Sequence, residues 1–269
     1  MKRNNHYFLF PFLISLIAAI ILLILNNYLD GNTIWTGKLG NGGLYAEYCE
    51  LNQFDKFLRQ PMNSYSNLAF LFFGVSVIRL GFRDMKSTDF KNPLMAFSAF
   101  SILQGIYFCY LFLGSTYYHA SLTWTAQRVD MNATYSIAIS LIGISCYRLF
   151  IKTDASNKFK AAYVLLLFFT VLVFIEIYLY TSSFVLLPLL ILVIIICTIT
   201  NYLRNKEKYN LYLQILSLLF MITAFILRTL DVNKIGCDPA SVYQGHSLWH
   251  LFTGMSVFLL YWFYRSEKA

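Results

Sequence analysis

Residues 182–200 read SSFVLLPLLILVIIICTIT, a run that carries no charged side chain. As an α-helix, a run of this length crosses the roughly 30 Å hydrocarbon core of a bilayer. Runs of similar length and character recur along the chain, at 7–25, 63–80, 93–114, 131–150, 161–180, 211–230 and 244–264. The sequence therefore predicts an all-α integral membrane protein with a seven-helix core and one extra N-terminal transmembrane helix.

The composition agrees with a lipid environment, because 58% of the residues are hydrophobic and only 13% are charged. Soluble domains carry roughly one quarter charged residues. The net charge of +8 would suit a nucleic-acid partner. However, the Lys and Arg residues lie in short clusters between apolar runs, as the positive-inside rule predicts, so we expect no nucleic-acid binding.

The apolar runs divide the chain into a transmembrane helix at 1–25, a polar acidic segment at 26–62 and a seven-helix core at 63–269. The first run could be a cleaved signal peptide. Its length, and the lack of a small-x-small cleavage site before Asn26, favour an uncleaved helix.

The loops predict the orientation. Fifteen of the 21 basic residues lie on one face and six on the other, so the first face is predicted to be cytoplasmic, with both termini inside. The six on the non-cytoplasmic face are Lys38, Lys56, Arg59, Arg128, Arg228 and Lys234.

Unusual polar residues from distant parts of the chain converge on the predicted non-cytoplasmic face. They are the acidic segment 47–55 together with Ser115, His119, Asp130, Asp231, His246 and His250. Incidental polar residues would be expected to divide between the two faces, so we interpret this convergence as a functional site.

His246 and His250 lie four residues apart, so on a helix both imidazoles project from one face and can bind one metal ion. A simple interfacial pair is the alternative. His119 would complete a three-histidine site with an open fourth position, which is typical of catalytic zinc. Alternatively, His119 bonds a backbone group at a helix end. The remaining histidine, His6, is predicted to lie on the opposite face.

Ser115 precedes His119 by one helical turn, and Asp130 is predicted to open the next helix. A carboxylate beside metal-activated water is a plausible general base, and a hydroxyl can donate to an oxyanion. The structural alternatives are an N-cap for Asp130 and a bond from Ser115 to its own helix. Ionisable groups within membranes are costly and often functional, which favours the catalytic interpretation.

Three motifs carry a family resemblance. GSTYYHASLTWTAQRVD at 114–130, GHSLWHLFTG at 245–254, and EYCELN at 47–52 followed by NSYSNLAF at 63–70 resemble the ordered motifs of alkaline ceramidases. The resemblance covers roughly Glu47 to the C-terminus. The wider superfamily includes progestin and adipoQ receptors and Per1-like lipid-remodelling proteins.

This resemblance implies a zinc ion held by His119, His246 and His250, with Asp130 activating water and Ser115 steadying the oxyanion. The implied reaction is amide hydrolysis of a ceramide-like membrane lipid to a sphingoid base and a fatty acid.

The resemblance also implies a calcium site in the polar segment, with Glu47, the Tyr48 carbonyl, Glu50 and Asn52 as ligands. Hard oxygen ligands are what calcium requires. Gln60 stands where the family has a further Glu, and the alternative is that the acidic residues are solvated loop charges. Cys49 and Cys237, in polar loops of the same oxidising face, match a family disulfide, although two free thiols remain the alternative.

Several alternatives stay open at this point. A receptor of the progestin and adipoQ type, a Per1-like lipid esterase and a transporter share the membrane composition. The extra helix, and the resemblance of QPMNSYSN at 60–67 to bacterial members, predict a bacterial inner-membrane protein. Glu176 within a predicted helix has no assigned role, and nothing in the sequence indicates the oligomeric state.

Overall fold

A computed structural model describes residues 7–87, 92–150, 155–180 and 183–268, with the backbone alone at 175–180, 183 and 184. His6 and the Glu176 side chain therefore lie outside the described residues. Eight long helices dominate: α1 Leu9–Tyr28, α2 Leu68–Met85, α3 Ala99–Ser121, α4 Trp124–Phe150, α5 Asn157–Tyr180, α6 Ser183–Arg204, α7 Leu211–Val232 and α8 Gly245–Arg265. Short helices are Gly31–Ile34, Asn41–Tyr45, Pro61–Ser66, Pro93–Ala96 and the 3-10 turn Lys206–Lys208.

The predicted fold class is confirmed. Among the described residues, seven helices are long and apolar enough to cross a membrane, from the N-terminal Leu9–Tyr28 to Leu211–Val232. The last helix, α8, is 21 residues long and carries the polar face with His246 and His250. The chain is thus a multi-pass membrane protein, and its orientation remains a prediction.

Several predicted helix boundaries were wrong. The run at 63–80 is divided between the Pro61–Ser66 helix and α2, which continues to Met85. The run at 93–114 is divided, because Phe97 leaves the helical region (φ −129°, ψ 78°) and α3 begins only at Ala99. The helix predicted at 131–150 begins instead at Trp124, so Asp130 lies two turns inside α4 and does not open it. A hydropathy profile marks where a helix becomes apolar. The backbone of α4 is already helical before that point, through polar residues such as Gln127, Arg128 and Asp130.

The helices pack mostly against their neighbours in sequence: α2 against α3, α3 against α4, and α7 against α8. The backbones of α2 and α3 approach closely at Gly74 and Gly105. A Cβ at Gly74 would lie 2.9 Å from the Gly105 carbonyl oxygen, so a side chain there would force the helices apart. Small residues allow such crossings in membranes. The N-terminal α1 packs on α2, and most of its surface is exposed to the surroundings.

The end of the bundle opposite the histidines is closed by buried charge pairs. Arg265 donates two hydrogen bonds to Asp84, at 2.5 and 2.8 Å, and both side chains are at most 3% exposed. Arg148 pairs with Glu267 nearby. Tyr7 donates to the Ser76 carbonyl at the same end. Both described chain ends therefore lie on the side away from the histidines.

We expect Asp84→Asn to lower the free energy of unfolding by about 3–5 kcal/mol, because it leaves the buried Arg265 guanidinium without a counter-charge. Denaturant unfolding in detergent micelles measures the change. Asp55→Asn is the matched control, since Asp55 is 71% exposed beside Lys56 and should change stability by less than about 1 kcal/mol. Equal losses in the two variants would contradict a stabilising role for the buried pair.

Candidate metal centre

Three imidazoles meet at one end of the bundle. His119 lies near the end of α3, which stops at Ser121 because Leu122 adopts a left-handed conformation (φ 52°). His246 and His250 lie in the first two turns of α8. The Nε2 atoms of His119 and His246 are 3.2 Å apart, and the three histidines offer ring nitrogens within 4.8 Å of one another. Each side chain is at most 5% exposed.

Hydrogen bonds to the other ring nitrogens set the direction in which two of these imidazoles face. Gln60 Oε1 lies 2.7 Å from His119 Nδ1, and Ser66 Oγ lies 2.7 Å from His250 Nδ1. An amide oxygen can only accept, so His119 Nδ1 carries the proton and its Nε2 presents a lone pair. Partners of this kind orient histidine ligands in metal sites. The three residues therefore fit a divalent metal ion such as zinc.

Gln60 directly precedes the short helix Pro61–Ser66, and Ser66 is its last residue; this helix packs against both α3 and α8. The sequence interpretation missed both contacts. It treated Gln60 only as a lost carboxylate and gave Ser66 no role. Gln60 and Ser66 are six residues apart in the sequence, and this spacing alone does not suggest contacts with two histidines. The contacts can be understood only once the short helix is seen to pack between α3 and α8.

Ser115 and Asp130 lie beside the histidines. Ser115 is buried on α3, one turn before His119, and lies near the Asp130 carboxylate on α4. Both side chains line the same cavity as His246 and His250. The structure thus brings together the residues that the sequence nominated for catalysis.

The polar segment lies across the centre. The Tyr48 ring stacks on His246, with centroids 3.8 Å apart, although the sequence assigned only the carbonyl of Tyr48 a role. Cys49 and Cys237 form a disulfide with an S–S distance of 2.04 Å. Asp231 joins these parts, because its two carboxylate oxygens accept the Cys49 and His246 backbone N–H groups, each at 3.0 Å.

The acidic residues of the segment do not join the histidine centre. Among the described residues, His119, His246 and His250 form the one group of His, Cys, Asp and Glu side chains close enough to share an ion. Glu50 accepts the backbone N–H groups of Met62 and Asn63 at 2.6 and 2.8 Å. Burial raises the pKa of the Glu50 carboxyl to about 7, against the opposing effect of these donors.

A cavity of about 200 Å³ extends from the histidines between the helices. It lies where α6, which packs on α4, and α7, which packs on α8, flank an apolar space. Side chains lining it include Met131, Leu187, Pro188, Ile191, Leu218 and Trp249. Apolar walls with a few polar groups at one end are typical of a site for a lipid-like ligand.

The chain matches the model of a known protein family. The family model described as Ceramidase matches residues 45–267, which include the disulfide, the histidines, Ser115 and Asp130. The match begins within the polar segment and leaves α1 outside. No curated protein shows a significant match to the chain.

With zinc as the probe ion, we expect Gln60→Leu to weaken metal binding at the three histidines by about 10–100-fold, because His119 loses the partner that fixes its proton on Nδ1. Competition with a chromophoric chelator measures the affinity of the purified protein. Gln60→Glu keeps an acceptor oxygen and should bind zinc nearly as the parent does. Gln53→Leu removes an amide from the same loop and is the matched control. Unchanged affinity in Gln60→Leu would show that the orienting bond is dispensable.

Proposed function

Because the chain belongs to the ceramidase family, we propose that it is a zinc-dependent amidohydrolase of the membrane. Its substrate would be ceramide or a related N-acyl lipid, and its products a sphingoid base, or another amine, and a fatty acid. The observation that carries the proposal is the meeting of three buried histidines with the Ser115–Asp130 pair at one end of an apolar cavity.

His119, His246 and His250 would hold the metal. When bound, zinc supplies Lewis acidity toward the amide carbonyl and toward water. The proposal is supported by the 3.2 Å separation of the His119 and His246 Nε2 atoms. Two lone pairs at that distance repel each other unless a proton or a cation lies between them. Gln60 leaves the His119 Nε2 lone pair available, so the space suits either the proton of a His246 Nε2–H group or a cation held by both nitrogens, and the proposal requires the cation.

Asp130 would act as the general base and then the general acid. Its carboxylate takes a proton from the attacking water as the new C–O bond forms, and returns that proton to the leaving nitrogen as the C–N bond breaks. The Ser115 hydroxyl, which is buried near Asp130, would donate to the carbonyl oxygen as negative charge develops there. The position of both side chains on one cavity with His246 and His250 supports their joint action.

The cavity supports a lipid substrate. Its apolar walls between α6 and α7 suit an acyl chain that stays in hydrocarbon while its amide reaches the histidines. Cytoplasmic termini, a site on the outer side and a bacterial inner-membrane location remain part of the proposal, on the distribution of basic residues.

We expect Asp130→Asn to reduce kcat by about 10²–10⁴-fold while leaving the zinc content unchanged, since the amide cannot accept the proton from water. Fatty-acid release from ceramide in mixed micelles and metal analysis of the same preparation measure the two effects. Asp238→Asn, at an exposed loop aspartate, is the matched control. Full activity in Asp130→Asn would remove Asp130 from the proposed mechanism.

A substrate panel tests the bond that is cleaved. We expect the zinc-loaded protein to release fatty acid from ceramide or an N-acyl amino lipid, but not from a phospholipid ester, and we expect His250→Ala to lose both zinc and activity. Release from phospholipids alone would favour the Per1-like esterase. A protein with bound zinc and no hydrolysis of any lipid would favour the receptor alternative.

A further inference from the structure

The polar segment carries the oxygen atoms to which the family resemblance assigns calcium: the side chains of Glu47, Glu50 and Asn52, and the Tyr48 carbonyl. Calcium requires about six to eight oxygen ligands in its coordination shell. Whether these atoms fit the ion depends on whether they are free to face it or already accept hydrogen bonds from the chain.

Two of the side chains are engaged by donors of the chain itself. Both Glu50 oxygens accept backbone N–H groups, from Met62 and Asn63 at the start of the Pro61–Ser66 helix. Asn52 Oδ1 accepts from Gln60 Nε2 at 2.7 Å. That bond needs an amide at position 60, because a carboxylate has no N–H to donate. The replacement of the family Glu by Gln60 thus exchanges an acceptor for a donor.

A lysine engages the backbone ligand. The Lys234 ammonium, just beyond the end of α7, donates to the Tyr48 carbonyl and, at 2.7 Å, to the Ala46 carbonyl. Lys234 adopts a left-handed backbone conformation (φ 57°), which costs free energy for a residue other than glycine. The ammonium therefore places a positive charge at the carbonyl that calcium would bind.

The remaining ligand also faces a cation of the chain. Glu47 Oε1 lies 3.9 Å from an Arg228 guanidinium nitrogen, and its side chain is 20% exposed. Burial raises the pKa of Glu47, and the nearby Arg228 and Lys234 charges oppose that rise. Both cations come from the α7 side of the segment, where a calcium ion would have to compete with them.

The four assigned positions therefore do not fit calcium. We propose that this chain holds its polar segment without calcium, and that the Lys234 ammonium and the Gln60 amide supply the contacts that the metal would otherwise provide. Lys234 fixes the carbonyls on either side of Glu47, next to the disulfide at Cys49. In doing so it keeps the Tyr48 ring stacked on His246. This inference concerns the order of the segment and does not depend on hydrolysis.

The test compares the parent protein, Lys234→Met and Lys38→Met, the last being an exposed lysine of the same polar region. Each is purified in detergent with fixed zinc, in buffer freed of calcium by resin, and is then measured with and without millimolar calcium chloride. The readouts are the midpoint of thermal unfolding and hydrogen–deuterium exchange of residues 45–52.

We expect calcium to leave both readouts of the parent unchanged. Lys234→Met should lower the midpoint by about 2–4 °C and increase exchange of the segment at least about tenfold, whereas Lys38→Met should match the parent. Stabilisation of the parent by calcium would overturn the proposal, as would parent-like exchange in Lys234→Met. If Lys234→Met does not fold, Lys234→Arg should retain protection of the segment, and the calcium titration of the parent decides alone.

Discussion

The histidine centre depends on a constraint outside the three histidines themselves: two imidazoles must present Nε2 to a common point. Gln60 and Ser66 impose it by bonding the opposite nitrogens of His119 and His250. Because Gln60 and Ser66 stand at the two ends of one short helix that packs between α3 and α8, the spacing of those helices and the direction of the rings are fixed together. Glu50 of the polar segment bonds the start of this short helix, and the disulfide and Asp231 connect the same segment to the α7 and α8 side of the centre.

Much of the fold was predictable, because a bilayer imposes length and apolarity on every helix that crosses it. The predicted boundaries failed where polar residues continue a helix, as at 124–130 of α4, and where an apolar stretch is broken, as at Phe97. Spacing and topology were enough to nominate His119, His246 and His250. They could not reveal Gln60 as a partner 59 residues from His119, since no periodicity links positions on different helices.

The two ends of the bundle are stabilised in different ways. At one end, Arg265 and Asp84 form a buried pair within a closely packed group of side chains. At the other end, individual side chains hold backbone groups. Asp231 accepts one N–H from the polar segment and one from α8, and the Lys234 ammonium donates to the Tyr48 carbonyl of the segment. The first arrangement suits permanent closure. The second combines these polar bonds with a small buried cluster of Tyr48, Tyr118 and Ala126 beside the histidines.

The apolar lining of the cavity also bears on how a reaction there would end. An amide is neutral, but its hydrolysis at pH 7 yields a carboxylate and an ammonium group, and neither is stable among Leu187, Ile191 and Leu218 without water or a counter-charge. For the proposed reaction, the same walls that accept the uncharged lipid would disfavour both products. The charged carboxylate and ammonium groups would then move toward the membrane–water interface and carry both products out of the cavity, which would limit product inhibition.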